Sequence, residues 1–278
     1  MKKSSLIALL ILFSSLTVAC GNDRDTNAYG QIITPTTVTP KPTPDSLPDS
    51  EEKKDVGKDD SVVSNPTDYE IVKEIYTNNK NIIIHYPQIN NLSDNVKQNK
   101  VNQIIKDNAY GYLKDFSQEE INNLSWDINY RIAWESKNLL SIQYSGYSYD
   151  EGAAHPVNQF YSTNIDMEKL ITLKLKDLIN IDEDFVTKLK KGSLKSTILE
   201  QSDTFERHTN QEWVEMLNNA DSNESEIKTY LTKDSIGISV EVAHVIGDHA
   251  EFEIKYEDLS NNAKYEYEIW KEINNSAQ

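Results

Sequence analysis

Cysteine occurs once in 278 residues, at Cys20, so the chain closes no disulfide within itself and must be held together by its core. Basic residues are scarce as well: 28 Lys+Arg stand against 45 Asp+Glu, a formal net charge of −17. A surface of that sign repels phosphate backbones, which removes nucleic acid from the expected partners. It attracts basic proteins, divalent cations and cationic polymers over a range that salt shortens. Solubility outside the cell is the competing explanation of the same charge. Beyond residue 20 there is no internal repeat and no run apolar enough to cross a bilayer. Gly-x-Ser-x-Gly, a phosphate-cradling glycine loop and a dinucleotide fingerprint are all missing. The five histidines, His85, His155, His208, His244 and His249, contain no His-x-x-x-His pair. Paired acids such as Asp182-Glu183-Asp184 are too numerous to single out a glycosidase couple and read as helix-start bias and solvated surface.

The first twenty residues have a clear order. Lys2 and Lys3 precede the apolar run 6–13, and Leu16-Thr17-Val18-Ala19 brings small residues up to the thiol of Cys20. Charge, a short apolar core and a small-residue cleavage site make a secretory signal over residues 1–19. A cysteine directly after the cleavage site resembles a bacterial lipobox, with Thr17 where leucine is commoner. Cys20 is therefore expected to take a diacylglycerol and hold the chain on the outer face of the cytoplasmic membrane. An ordinary signal with a chance cysteine is the alternative. Loss of Lys2 and Lys3 with the signal takes the formal charge from −17 to −19.

Residues 20–67 show no apolar periodicity and include the Thr- and Pro-rich run 34–44 followed by a charged stretch. Such a segment cannot bury enough surface to offset its chain entropy, so it is expected to be a disordered, lipid-anchored linker. The remainder, 68–278, is long enough for one substantial core or two intertwined lobes. Period-two alternation predicts strands over 69–75, 81–86, 129–135, 139–149, 158–166, 229–231, 237–242 and 251–256, with Pro87 ending the second. Helical spacing after a cap at Ser93 or Asp94 predicts one helix, and others are expected over 184–199 and 210–218. Strands, helix, strands, helices and strands without βαβ alternation indicate an α+β fold. A largely antiparallel sheet would pack with two or three helices.

The densest chemistry lies at residues 147–156. Tyr147 and Tyr149, two apart, project to one side of a strand; Gly152 permits a tight bend, and Pro156 holds the backbone of His155 extended. His155 has two readings: a ring that fixes the loop by donating to a nearby carbonyl, or a group that contacts a partner or acts as a general base. Tyr144, Tyr147, Tyr149 and Tyr161 likewise read as an exposed aromatic strip or as half-buried sheet residues. His244 and His249 with Asp248 between them offer nitrogen and oxygen to zinc, but the spacing within a loop is a weak pattern and no metal or other cofactor is expected.

The pattern Tyr-x-Tyr-x-x-Gly-x-Ala-His-Pro, followed by the strand 160–166, resembles the extracytoplasmic domain shared by RsiV-type anti-sigma factors and PdaC-type peptidoglycan deacetylases. Ile84-His85-Tyr86-Pro87-Gln88-Ile89 with Asn99 and Asn102 is similar to the first half of that domain. Segments 171–179, 230–238 and 252–259 resemble its later parts. The stretch 243–250 departs from the family's loop before the last strand. The resemblance implies a ligand-binding surface around Tyr147, Tyr149, Gly152, Ala154, His155 and Pro156, with lysozyme or a cell-wall component as ligand and no catalytic residue. An accessory or catalytic module in peptidoglycan modification is the alternative it implies. Only residues 1–5 precede the apolar run, so an anti-sigma segment inside the cell is not expected. Without a paired-histidine motif, neither is a deacetylase domain.

Overall fold

The computed structural model describes residues 67–276. The expected signal, Cys20 and most of the linker lie outside the described residues.

Strands β1 (Glu70–Asn78) and β2 (Ile82–Asn90) form an antiparallel hairpin. Its turn holds Asn79 at a positive φ of 55°, with the side-chain oxygen accepting from the N–H groups of Asn81 and Ile82 at 2.7 and 3.2 Å. Asn and Asp tolerate that left-handed geometry because their side chains bond the local backbone. Pro87 does not end β2, as expected from its missing N–H. It pairs with Lys73 and the strand continues to Asn90. The reason is local: β3 (Leu124–Glu135) lies parallel to β2 only at Ile82, Ile83 and Ile84, so past that point one side of β2 has no strand to bond. Helix α1 (Asn95–Ala109) covers it. The Asn102 amide donates to the Ile89 carbonyl at 2.9 Å and accepts from the Ile89 N–H at 2.8 Å, doing for one residue what a neighbouring strand would do.

Asp94 is the cap of α1, accepting from the N–H groups of Val96 and Lys97 at 2.9 and 3.0 Å. A turn of 3-10 helix (Gly111–Asp115) leads to α2 (Gln118–Asn123), which opens on a Ser117/Glu120 capping box. Strands β4 (Leu139–Asp150), β5 (Val157–Asp166) and β6 (Ile171–Thr172) complete a six-stranded sheet in the order β1-β2-β3-β4-β5-β6, antiparallel throughout except at β2–β3. Leu140, Ile142 and Tyr144 alternate onto the face that buries Val101, Ile105 and Ala109 of α1.

The opposite face meets the second half of the chain. Helices α3 (Leu175–Leu178) and α4 (Glu183–Leu189) precede the two-residue strand β7 (Ser193–Leu194). The helix expected over 184–199 thus stops at Leu189. A side chain at Gly192 would stand 2.9 Å from both the Leu189 and Glu253 carbonyls, so the glycine ends the helix and lets the chain drop into pairing with the last strand. A 3-10 helix (Leu199–Arg207), α5 (Asn210–Asn218), β8 (Ile227–Leu231), β9 (Ser235–Glu241), β10 (His249–Lys255), α6 (Tyr256–Leu259) and α7 (Ile269–Ser276) follow. The second sheet runs β7-β10-β9-β8. Its core takes in Phe185, Phe205, Trp213 and Trp270 together with Trp134 and Leu139 from the first sheet. The fold is α+β and almost wholly antiparallel, as the sequence indicates. Of the seven α-helices described, α1, α5 and α7 are the longest, at 15, 9 and 8 residues. No described helix is long and apolar enough to cross a membrane.

Buried polar side chains fasten the sheets together. Ser141 donates to Asn164 at 2.7 Å and accepts the Leu231 N–H at 2.9 Å; Asn164 and Ser162 both donate to the Thr229 carbonyl, at 2.7 and 2.6 Å. Edge strand β8 is thereby satisfied by side chains of β4 and β5.

Candidate functional site

Strand β4 is buried through Tyr144 and more open from Ser145 on, and it carries Tyr147 and Tyr149 on the same face as Ser141, which bonds the second sheet. Tyr147 is 48 % exposed and stands opposite Asn158 across β4–β5. The Tyr149 hydroxyl donates to the Ala153 carbonyl at 3.1 Å, and the Ala153 N–H to the Asp150 carbonyl at 2.9 Å, which closes the turn. Gly152 sits in that turn at φ 93°, a conformation that disfavours any side chain. Ala154, His155 and Pro156 follow, all exposed, before the chain enters β5.

All six sequence-predicted residues therefore occupy one end of the first sheet. The four-tyrosine strip does not form. Tyr144 and Tyr147 are an odd number of residues apart, so they take opposite faces. Tyr144 is fully buried and stacks on Tyr161 with ring centroids 4.7 Å apart, and the Tyr161 hydroxyl donates to the Ala109 carbonyl at 2.9 Å. Burial holds both hydroxyls well above the ordinary tyrosine range, so they stay protonated core groups.

His155 does not fix its loop through a carbonyl, as one reading had it. Its ring lies flat on that of His244, with centroids 3.5 Å apart and planes within 1°. His244 belongs to a turn of 3-10 helix (His244–Ile246) between β9 and β10. The His244 Nδ1 lies 2.8 Å from the Asp248 carboxylate. The other oxygen of Asp248 accepts from the backbone N–H and side-chain amide of Asn158, at 2.7 and 3.0 Å. Asp248 is 7 % exposed and has φ 70°. Burial works to raise its carboxyl, but the Asn158 N–H, the His244 ring and the Asn158 amide outweigh it and hold the group below the ordinary range. Asp248 thus pins the 243–249 loop to β5 and sets His244 under His155.

Two clefts flank Asn158 and Gln159. One, of about 420 Å³, is lined by Ser145, Gly146, Lys195, Gln201, Gly247 and Glu251 among others. The second, of about 380 Å³, runs between β5 and the β8–β9 edge and brings Glu226, Glu241 and Asp248 together with Lys228 as its lysine. Burial, then the nearby Glu226 and Asp248, pushes the Glu241 carboxyl up from its usual range. His249 reaches both clefts, its Nε2 3.6 Å from Glu251. Among the described residues no three or more His, Cys, Asp or Glu side chains gather as metal ligands.

Sequence reasoning missed Asn158 and the carboxylates Glu226 and Glu241. It named Asp248 only as a weak zinc ligand beside His244 and His249. The Gly247-Asp248 pair marks a turn, but its partner Asn158 lies 90 residues away and leaves no local trace.

Residues 59–158 match the family model described as Deacetylase PdaC. The likeness read from the sequence therefore has support over that segment: residues 59–158 are similar to the PdaC family model, and the match ends at Asn158. Two solved structures of DUF3298-family proteins are similar to the chain. The one from Bacteroides fragilis is 17 % identical, covers 72 % of this chain and 95 % of its own, and superposes with a TM-score of 0.45. The one from Pseudomonas aeruginosa is 13 % identical, with 72 % and 94 % covered and a TM-score of 0.42. No curated protein matches the chain.

Proposed function

From the premise that residues 59–158 are similar to the PdaC family model, we propose that this chain is a surface-anchored lipoprotein whose α+β body binds a ligand without catalysis. The ligand is a basic wall-directed protein, with lysozyme as its type. Cys20 supplies the anchor, residues 20–67 the reach, and the exposed tip 147–156 part of the recognition surface. One observation carries the reading: the tip does not sit in the sheet packing but stands open beside a cleft in which three carboxylates meet a single lysine. Opposite charge across such a surface speeds encounter and selects partners. Peptidoglycan itself is the other wall ligand the family likeness allows, but the acid-lined cleft favours a cation-bearing protein. Titration calorimetry of the full chain against lysozyme tests the reading. The expected result is binding at low ionic strength that weakens steadily as salt is added; no heat at low salt overturns it.

A further inference from the structure

The segments around the tip carry five exposed apolar side chains. Leu199 is 79 % exposed, Val245 88 %, Tyr147 48 %, Val157 39 % and Ile198 37 %. They come from the β4–β5 tip, the start of the Leu199–Arg207 helix with its cap Ile198, and the β9–β10 loop, which are far apart in sequence. The fold ties these segments to one another. Asn158, next to Val157 and opposite Tyr147, is bonded to Asp248. Gln201, two residues from Leu199, is buried and donates both amide hydrogens, to the Ile246 and His249 carbonyls at 2.6 and 3.0 Å. A side chain at Gly247 would touch the end of Ile198 at 3.3 Å. Of these apolar residues, Ile198 lines one cleft and Val157 the other, while Leu199 and Val245 are the chain neighbours of the cleft-lining Ile198 and His244.

We propose that these apolar residues, as a rim, and the Glu226/Glu241 cleft form one docking surface for a basic protein, whose apolar side chains seat on Leu199 and Val245 while an arginine or lysine enters the cleft. The inference rests on the reading above and says where on the molecule that reading is carried out. Apolar anchors around a charged, partly desolvated pocket are the arrangement in which a few residues dominate binding. Glu241 is crowded by burial and by Glu226 and Asp248, so a cation placed there relieves a repulsion the free protein holds. Charge also argues against the other occupants. A second copy would set the same carboxylates against themselves, and an anionic bilayer would be repelled.

The test uses the full chain with lysozyme as probe, in calorimetry at low salt, and three double variants. Leu199→Ser with Val245→Ser removes two rim anchors; Glu226→Gln with Glu241→Gln removes the cleft charge; Ile75→Ser with Val96→Ser alters two exposed apolar residues on β1 and α1, 53 and 79 % exposed, away from the surface. Each position is open to solvent, and thermal melts confirm that the variants fold. The first two doubles are expected to weaken binding by about tenfold or more, and the control to bind as the wild type does. Rim and cleft variants that bind like wild type would overturn this surface while leaving a lysozyme-binding module standing; a wild type that does not bind would sink both. Sedimentation showing a wild-type dimer that the Leu199/Val245 double dissolves would also overturn it, by giving the rim to a second copy.

Discussion

Asp248 shows how one side chain sets the candidate surface. It is nearly buried, held at positive φ, and engaged by three donors from Asn158 and His244. Replacing it with alanine strands the Asn158 N–H and amide, and should cost about 1–3 kcal/mol of stability, measured by urea unfolding at neutral pH. Its folded carboxyl titrates below the ordinary value of 3.8, so its contribution is complete above that pH and lost as pH falls through the folded value. The gap between wild type and Asp248→Ala should therefore close as unfolding is repeated at pH values progressively below 3.8. His155 behaves differently. It is exposed and its ring rests on His244, so His155→Ala should change stability by less than about 1 kcal/mol while weakening lysozyme binding. A large stability loss would instead make His155 a structural residue. Of these residues the sequence displayed His155 as a candidate; Asp248 stood out only as a doubtful ligand, because its role depends on a segment 90 residues away.

At the scale of elements, alternation and capping were the readable signals. Strands β4 and β5 and helix α5 lie where period-two and period-3.6 patterns put them, since each buries one face and the burial is written in the residues, whereas β3 begins at Leu124, five residues before its expected start. The failures have equally local causes. Pro87 looked like a strand end because its missing N–H harms a ladder, yet β3 does not run alongside it. The 184–199 helix looked continuous because apolar spacing persists, while Gly192 and the β7–β10 pairing cut it at Leu189. The polar seam left no readable pattern at all, because Ser141, Ser162 and Asn164 resemble ordinary sheet polars. Ser141→Ala should leave the Leu231 N–H without its acceptor and cost about 1–3 kcal/mol, with faster amide exchange at Leu231. An unchanged melt and unchanged exchange would mean that the seam is not what joins the sheets.

For the whole molecule, charge is the property that composition gave outright, and geometry decided where it acts. A net charge of −17 on 278 residues describes no site. The folded chain gathers Glu226, Glu241 and Asp248 in one cleft, which the exposed Val157 also lines. Because the Glu241 carboxyl is held above its usual 4.5, it takes up a proton earlier on acidification than an ordinary glutamate. A cationic partner favours its ionised form, so affinity should fall as pH is lowered towards and through that raised value. Glu241→Gln should flatten this dependence. The central claim, that the β4–β5 tip end is where a basic protein is recognised, is met most directly by amide hydrogen exchange on the full chain with and without lysozyme. Slowed exchange confined to residues 145–158, 196–201 and 241–249 is the result this account predicts. Protection spread over α1 and β1 instead, or no change anywhere under conditions where the two proteins are mixed at low salt, would contradict it.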